Sequence, residues 1–194
     1  MKKLSIFIML IGVGIISFAL FQMYDSKQKQ SESYARAEAL LDNKDAREAE
    51  KVKPFKASFG DEVGMLTIKK IDARIPIVEG TDEDELAHGV GHYAGTAFPE
   101  EDDQVVLSGH RDTVFRRMGE LNVGDIITVE MPYGNYDYEI YETFIVDADD
   151  RSVIKSTAPD EVLTVTTCYP FNFVGSAPDR YIINAKPVYN KATK

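Results

Sequence analysis

The stretch Leu163-Thr164-Val165-Thr166-Thr167-Cys168 ends on the only cysteine of the 194-residue chain. Its β-branched and apolar residues favour a β-strand, so the stretch predicts a strand that carries Cys168 at its end. A lone cysteine cannot form a disulfide within the chain. Cys168 is therefore either a small buried apolar residue or a nucleophile. A nucleophilic thiolate requires a base or a positive charge nearby.

Two further polar residues lie at the ends of apolar runs and could meet that requirement. Val105-Val106-Leu107-Ser108-Gly109 leads into His110, and Arg180 opens the run Tyr181-Ile182-Ile183-Asn184-Ala185. A thiol, an imidazole and a guanidinium at strand ends are the components of a cysteine acyl-transfer site.

The remainder of the chain past residue 56 predicts many short strands with brief helical segments between them. A turn is expected at Gly134-Asn135. The predicted strands cover residues 64–71, 73–78, 105–108, 126–131, 136–146, 162–167 and 181–188, and the predicted helical segments cover 82–86 and 113–118. This pattern lacks the alternation of strands with long helices, so it indicates a mainly β fold, a closed or nearly closed barrel.

The motifs around Cys168, His110 and Arg180 resemble those of the sortase family, the cysteine transpeptidases of Gram-positive cell surfaces. The family signature is Thr-Leu-x-Thr-Cys, and this chain has Thr164-Val165-Thr166-Thr167-Cys168, with valine in place of leucine. Gly109-His110 and Arg180 match the family's histidine and arginine in order and context. The resemblance covers roughly Val63 to Val188. The compact chain, which ends soon after the arginine strand, resembles class D more than class C.

The resemblance implies a sortase-type barrel in which Cys168 forms a thioester with a Leu-Pro-x-Thr-type sorting signal, cleaved after threonine. His110 would transfer protons and Arg180 would stabilise the oxyanion. The substrate-binding residues are expected beside the cysteine, and they are Ser108, Thr166 and Thr167. The implied partners are secreted proteins with a C-terminal sorting signal and the amine of a peptidoglycan precursor or cross-bridge. No cofactor is expected.

Several alternatives stay open at this stage. The activity could be that of a pilin-polymerising or hydrolytic sortase, or the domain could bind sorting signals without catalysis. A thiol redox protein is disfavoured because there is no Cys-x-x-Cys motif. His92 and His88 are rival bases, and Asp112 is a candidate to orient the imidazole of His110. In the apolar segment after Cys168, the side chains of Phe171 and Phe173 either line a groove or enter the core.

The N-terminal region predicts a membrane segment. Leu4 to Phe21 carries no charge, and as a helix it spans about 27 Å, close to the thickness of a bilayer core. A cleaved signal peptide would have a shorter apolar run and a small-residue cleavage site. Residues 1–23 are therefore expected to form a cytoplasmic start and an uncleaved transmembrane signal anchor. The flanking lysines nearly balance, so the orientation rests on the resemblance, which implies a cytoplasmic N-terminus and an extracellular catalytic domain.

Charge and composition set the remaining expectations. Residues 24–56 are expected to be a charged, helical or flexible stalk, and residues 57–194 the catalytic domain. The net charge of −10 makes nucleic acid an unlikely partner. Acidic clusters at 82–85, 100–103 and 147–150 could bind calcium, but they lack a fixed ligand spacing. They are expected to be solvated surface charge, and no metal site is predicted.

Overall fold

The computed structural model describes residues 2–42, 55–173 and 175–188. In these residues eight strands form a closed barrel, which confirms the predicted mainly β fold. Short 3-10 helices occupy Lys69–Ile71 and Met118–Glu120. The main elements in chain order are α1 (Lys2–Asp42), β1 (Glu62–Ile68), β2 (Ala73–Glu79), α2 (Glu83–His88), β3 (Val90–His92), β4 (Gln104–Gly109), β5 (Ile126–Met131), β6 (Gly134–Asp147), β7 (Val162–Tyr169) and β8 (Asp179–Pro187).

The strand order around the barrel is β1-β2-β3-β4-β7-β8-β6-β5, and β5 closes onto β1. Most neighbouring strands are antiparallel, but β2 runs parallel to β3, and β4 runs parallel to β7 with Gly109 opposite Thr167. Because parallel strands end on the same side of a sheet, the residues that follow β4 and those at the end of β7 meet at one end of the barrel.

Alternation along the strands separates the core from the outer face. Val105 and Leu107 of β4, and Leu163 and Val165 of β7, are buried in the barrel core. Successive side chains of a strand point to opposite faces, so Ser108, Thr166 and Cys168 lie on the outer face. This outer face of β4 and β7 is where the candidate residues are found.

Local departures from the prediction follow from strand pairing. The predicted strand 64–71 ends at Ile68, and its last residues form a 3-10 turn before the left-handed Asp72 (φ 51°). The predicted Gly134-Asn135 turn is wrong: Met131 pairs with Gly134, which places the turn at residues 132–133. The helical turn expected at 113–118 lies at Met118–Glu120. Strand β3 was not predicted, because three residues are too few to show a periodicity.

The long helix α1 begins in the apolar segment and continues without a break to Asp42. Its most apolar window has a mean hydropathy of 2.7 and no side chain buried in the protein, so by length and composition this helix could cross a membrane. Further along, Ser33, Ala37 and Leu41 recur every four residues and are buried. Ala37 and Leu41 pack on Met65 of β1, so the second half of α1 covers the outside of the barrel.

The contact of Ala37 and Leu41 with Met65 forms an apolar seam. Polar contacts surround this seam. Ser33 Oγ and Arg36 Nε donate hydrogen bonds to Glu62 Oε1 at 3.0 and 2.8 Å. Arg74 Nη1 donates to the hydroxyl of Tyr34 at 2.7 Å and to Glu38 Oε1 at 2.9 Å. Burial alone would raise the pKa of Glu62, but the bonds from Arg36 and Ser33 outweigh it and leave that pKa below its usual value.

Part of the predicted stalk is therefore bound to the barrel. Residues 43–54, which make up much of that stalk, lie outside the described residues. The proposed bounds of anchor, stalk and catalytic domain at residues 23 and 56 stay a prediction.

Candidate active site

The register of three strands brings Cys168, His110 and Arg180 together. In the antiparallel pair β7/β8, Cys168 lies directly opposite Arg180, and directly opposed residues project on the same face. In the parallel pair β4/β7, Gly109 lies opposite Thr167, so His110, the first residue after β4, comes beside Cys168. The three residues are 58 and 12 positions apart in sequence, and they share one end of the barrel.

None of these three residues is fully buried. Cys168 is a free thiol of intermediate exposure, and His110 and Arg180 fall in the same intermediate range. A cysteine that only filled the core would be buried among the inward-facing residues of β7. Cys168 instead lies on the outer face and is partly exposed, as a nucleophile has to be.

The guanidinium of Arg180 is bound to backbone carbonyls. Its Nη1 donates to the carbonyl of Asp179 at 3.0 Å and to that of Ala177 at 3.4 Å. These bonds involve the main chain that leads into β8. They hold the arginine beside Cys168, with its charge on the outer face.

A groove of about 220 Å³ runs along this outer face and includes Arg180 in its lining. Its floor contains Ser108 of β4 and Thr166 of β7, together with Ile182 of β8. The connection between β6 and β7 supplies a second wall, which includes Val153 and Ile154. The groove is thus partly apolar, and of Cys168, His110 and Arg180 its lining includes Arg180.

The predicted substrate residues therefore occupy two different environments. Ser108 and Thr166 line the groove. Thr167 points away from it: its side chain is buried and its hydroxyl donates to the carbonyl of Gly109 at 2.7 Å. The hydroxyl of Thr167 is therefore committed to a bond between β7 and β4. That Thr167 contacts the substrate through its backbone stays a prediction.

The rival histidines lie elsewhere. His92 is 1% exposed, and its Nδ1 is 2.6 Å from Glu79 Oε2. Its ring stacks on that of Phe98, with centroids 4.1 Å apart. His92 is therefore held inside the protein as a structural residue. His88 closes α2, which packs on β2 and β3, away from the paired ends of β7 and β8.

The two residues after His110 form a bonded pair. Arg111 Nε and Nη2 donate to the two carboxylate oxygens of Asp112 at 3.1 and 3.0 Å. This hydrogen bonding lowers the pKa of Asp112. The carboxylate of Asp112 is therefore bound to Arg111, although the sequence suggested that it could orient His110. The available sequence signal for Arg111 was its position next to His110.

The two phenylalanines of the apolar segment after Cys168 lie in different environments. Phe171 packs against the core, and its ring lies 5.5 Å from that of Tyr169 and 5.2 Å from that of Tyr181. Phe173 is exposed at the surface. Neither phenylalanine is part of the groove lining described above.

The acidic clusters do not form a recognisable metal site in the part of the chain that is described. Within residues 2–42, 55–173 and 175–188, no three His, Cys, Asp or Glu side chains are grouped so that they could hold a metal ion.

A closed barrel carries a partly exposed cysteine at the end of one strand with an arginine directly opposite it, and this arrangement suits acyl transfer through a cysteine. Comparison with protein families gives the same answer, because the sortase domain matches residues 66–188 of this chain. The chain belongs to the sortase family, whose members are cysteine transpeptidases.

Individual relatives support this assignment and the resemblance to class D. The chain is 46% identical over 197 residues to sortase D of Bacillus subtilis (strain 168), covering 96% of this chain and 98% of that protein. A structure of the sortase D5 transpeptidase of Clostridium perfringens is similar, with 26% identity, a TM-score of 0.72, and coverage of 84% of this chain and 99% of that one. Sortase C-1 of Actinomyces oris is also similar, with 26% identity, a TM-score of 0.61, and coverage of 67% and 76%.

Proposed function

We propose that this protein is a membrane-anchored transpeptidase that cleaves a Leu-Pro-x-Thr-type sorting signal after threonine and transfers the cleaved protein to a cell-wall amine. The observation that carries the proposal is the direct pairing of Cys168 with Arg180, which lines the groove, with His110 following the strand that pairs with β7. These are the groups that acyl transfer through a thioester requires.

In the proposed reaction, the Cys168 thiolate attacks the carbonyl carbon of the threonine residue. The C–N bond breaks, His110 gives a proton to the leaving amine, and a thioester remains on the sulfur. An incoming amine then attacks the thioester, loses a proton to His110 and releases the thiolate. Arg180 donates hydrogen bonds to the oxyanion in both steps, because a guanidinium stays protonated at any working pH.

The size and lining of the groove support a peptide substrate. Its volume of about 220 Å³ lies below that of typical pockets for drug-sized ligands, roughly 300–1,000 Å³. It therefore suits part of an extended chain. Val153, Ile154 and Ile182 offer apolar surface to a leucine and a proline, and the hydroxyls of Ser108 and Thr166 can bond to peptide groups.

The helix α1 supports the proposed location. With residues 4–21 in the plasma membrane and the N-terminus in the cytoplasm, the catalytic domain would lie outside the cell, where secreted proteins and cell-wall amines are found. The helix continues without a break past Phe21, and its residues from Gln22 onward line a cavity together with residues 72–76 of the barrel. The barrel would thus be held within reach of the membrane surface.

Mass spectrometry of the purified chain can test this function. The chain is mixed with a Leu-Pro-x-Thr-type peptide, with and without a primary amine acceptor. The expected results are a thioester adduct on Cys168 and a peptide joined to the acceptor, both absent in Cys168→Ala. Release of free acid alone, even with excess acceptor, would identify a hydrolase. Peptide binding without an adduct would identify a non-catalytic module, and either result would overturn the proposal.

A further inference from the structure

Arg111 is a buried cation that is bonded through each of its three guanidinium nitrogens. Its side chain is only 5% exposed, although burying a charge is costly unless the charge is paired. Nε and Nη2 bind the carboxylate of Asp112, and Nη1 donates to the carbonyl of Pro170 at 2.8 Å. All three nitrogens of the guanidinium therefore have protein partners, which fixes the position of this side chain.

The bond to Pro170 joins the two halves of the proposed site. Arg111 directly follows His110, and Pro170 comes two residues after Cys168. On the other side, the hydroxyl of Thr167 binds the carbonyl of Gly109 at 2.7 Å. His110 and Cys168 therefore each lie between two cross-links, one directly before them and one just after them.

The charge of Arg111 also reaches Cys168. Hydrogen bonding to Asp112 raises the pKa of Arg111 against the effect of burial, and the negative charge of a Cys168 thiolate raises it further. A fixed positive charge close to a thiol favours the thiolate. Arg180 also lies beside Cys168, but it lines the groove where a substrate carbonyl would lie, whereas Arg111 is not part of that lining.

We propose that Arg111 is a positioning residue for the transfer reaction. It holds the segment after His110 against the segment after Cys168, which fixes the distance between the two side chains, and it keeps a positive charge beside the reactive sulfur. This inference rests on the proposed function only in taking Cys168 and His110 as the reacting pair.

Arg117 provides a matched control on the same connection. Its Nε and Nη2 bind the carboxylate of Glu120, both at 2.8 Å, and its Nη1 donates to the carbonyl of Ile71 at 2.7 Å. The bonding pattern is that of Arg111, but the side chain is 51% exposed and its partners lie outside the site. Replacing either arginine by glutamine therefore removes the same kinds of bond.

The experiment compares Arg111→Gln, Arg111→Lys and Arg117→Gln in the full-length chain. The first readout is the rate of alkylation by iodoacetamide across pH, which reports on Cys168 alone because the chain has no other thiol. The second readout is kcat and KM for transfer of the sorting peptide to an amine. Near-UV circular dichroism establishes that each variant is folded.

Arg111→Gln is expected to shift the alkylation profile to higher pH and to lower kcat by about one to two orders of magnitude. That range corresponds to the loss of a buried, charge-assisted hydrogen bond. The KM for the peptide should stay within about twofold, because the groove is unchanged. Arg111→Lys should restore the alkylation profile but not kcat, since an ammonium cannot form the same planar set of bonds. Arg117→Gln should match the wild type in both readouts.

A folded Arg111→Gln variant that matches Arg117→Gln in alkylation profile and kcat would refute the proposal. If Arg111→Gln does not fold, Arg111→Lys tests the proposal instead. A wild-type kcat in Arg111→Lys would refute the proposal. The alkylation readout needs no sorting peptide. A failure of the proposed function, seen as no transfer by the wild type, is therefore distinguishable from a failure of this inference.

Discussion

Replacing Leu41 by alanine should weaken the contact between α1 and the barrel. Leu41 is 5% exposed and packs with Ala37 on Met65, which is itself fully buried. These residues form a small cluster of their own, separate from the barrel core. The substitution keeps the helix propensity high, since alanine is the best helix former, so the effect should come from lost contacts with the barrel.

The expected loss is about 2–3 kcal/mol in the free energy of unfolding. Buried leucine-to-alanine substitutions cost about 2–5 kcal/mol, and the lower half applies here because a helix on the outside of a barrel can settle into the space. With a urea dependence of about 2 kcal/mol per molar, the unfolding midpoint should fall by roughly 1 M.

Urea unfolding, followed by circular dichroism, measures this effect in a chain that lacks residues 1–23. Leu40→Ala is the control, because it makes the same chemical change one position away at a half-buried residue. It should cost less than about 1 kcal/mol, as is usual for residues near the surface. If Leu41→Ala and Leu40→Ala unfold at the same urea concentration, α1 does not depend on this seam, and residues 24–42 act only as a spacer.

Further predictions concern the proposed site and the helix seam. Arg180→Lys should lower kcat by about 10²–10³, the usual effect of losing an oxyanion donor, and near-wild-type kcat would exclude that role for Arg180. Thr166→Phe should fill part of the groove and lower kcat/KM for the sorting peptide by about tenfold or more, while alkylation of Cys168 stays normal. A Leu-Pro peptide should exceed its Ala-Ala analogue by about 10–100-fold in kcat/KM, in competition for one acceptor. Because the folded pKa of Glu62 is depressed, its stabilising bonds are complete at neutral pH and are lost as pH falls through that folded pKa. Between pH 6 and pH 3, wild type should therefore lose more stability than Glu62→Gln, and equal losses would contradict this account.

Local patterns in the sequence predicted much of the fold and of the candidate site. The strand that ends on Cys168, the run that leads into His110, and the strand opened by Arg180 were all read from residue type and alternation. The apolar segment 4–21 likewise predicted a helix. These features are encoded by neighbouring residues, so they can be read without knowing which distant segments meet.

The sequence could not show which residues from distant segments become neighbours in the folded chain. The pairing of Cys168 with Arg180 depends on the register of β7 and β8, and that of His110 with Cys168 depends on the parallel contact between β4 and β7. A one-residue slip in either register would turn these side chains to the wrong face. His92 looked like a possible base until the structure showed it paired with Glu79 inside the protein.

The sequence by itself thus determined the chemical groups, the strands that carry them and the family to which the chain belongs. Only the tertiary structure decided that Arg111 binds Pro170, 59 residues away, and that Leu41 covers Met65. The physical reason is that hydrophobic periodicity specifies which face of an element is buried but leaves open what covers that face. That choice is made when the barrel closes and its distant segments come into contact.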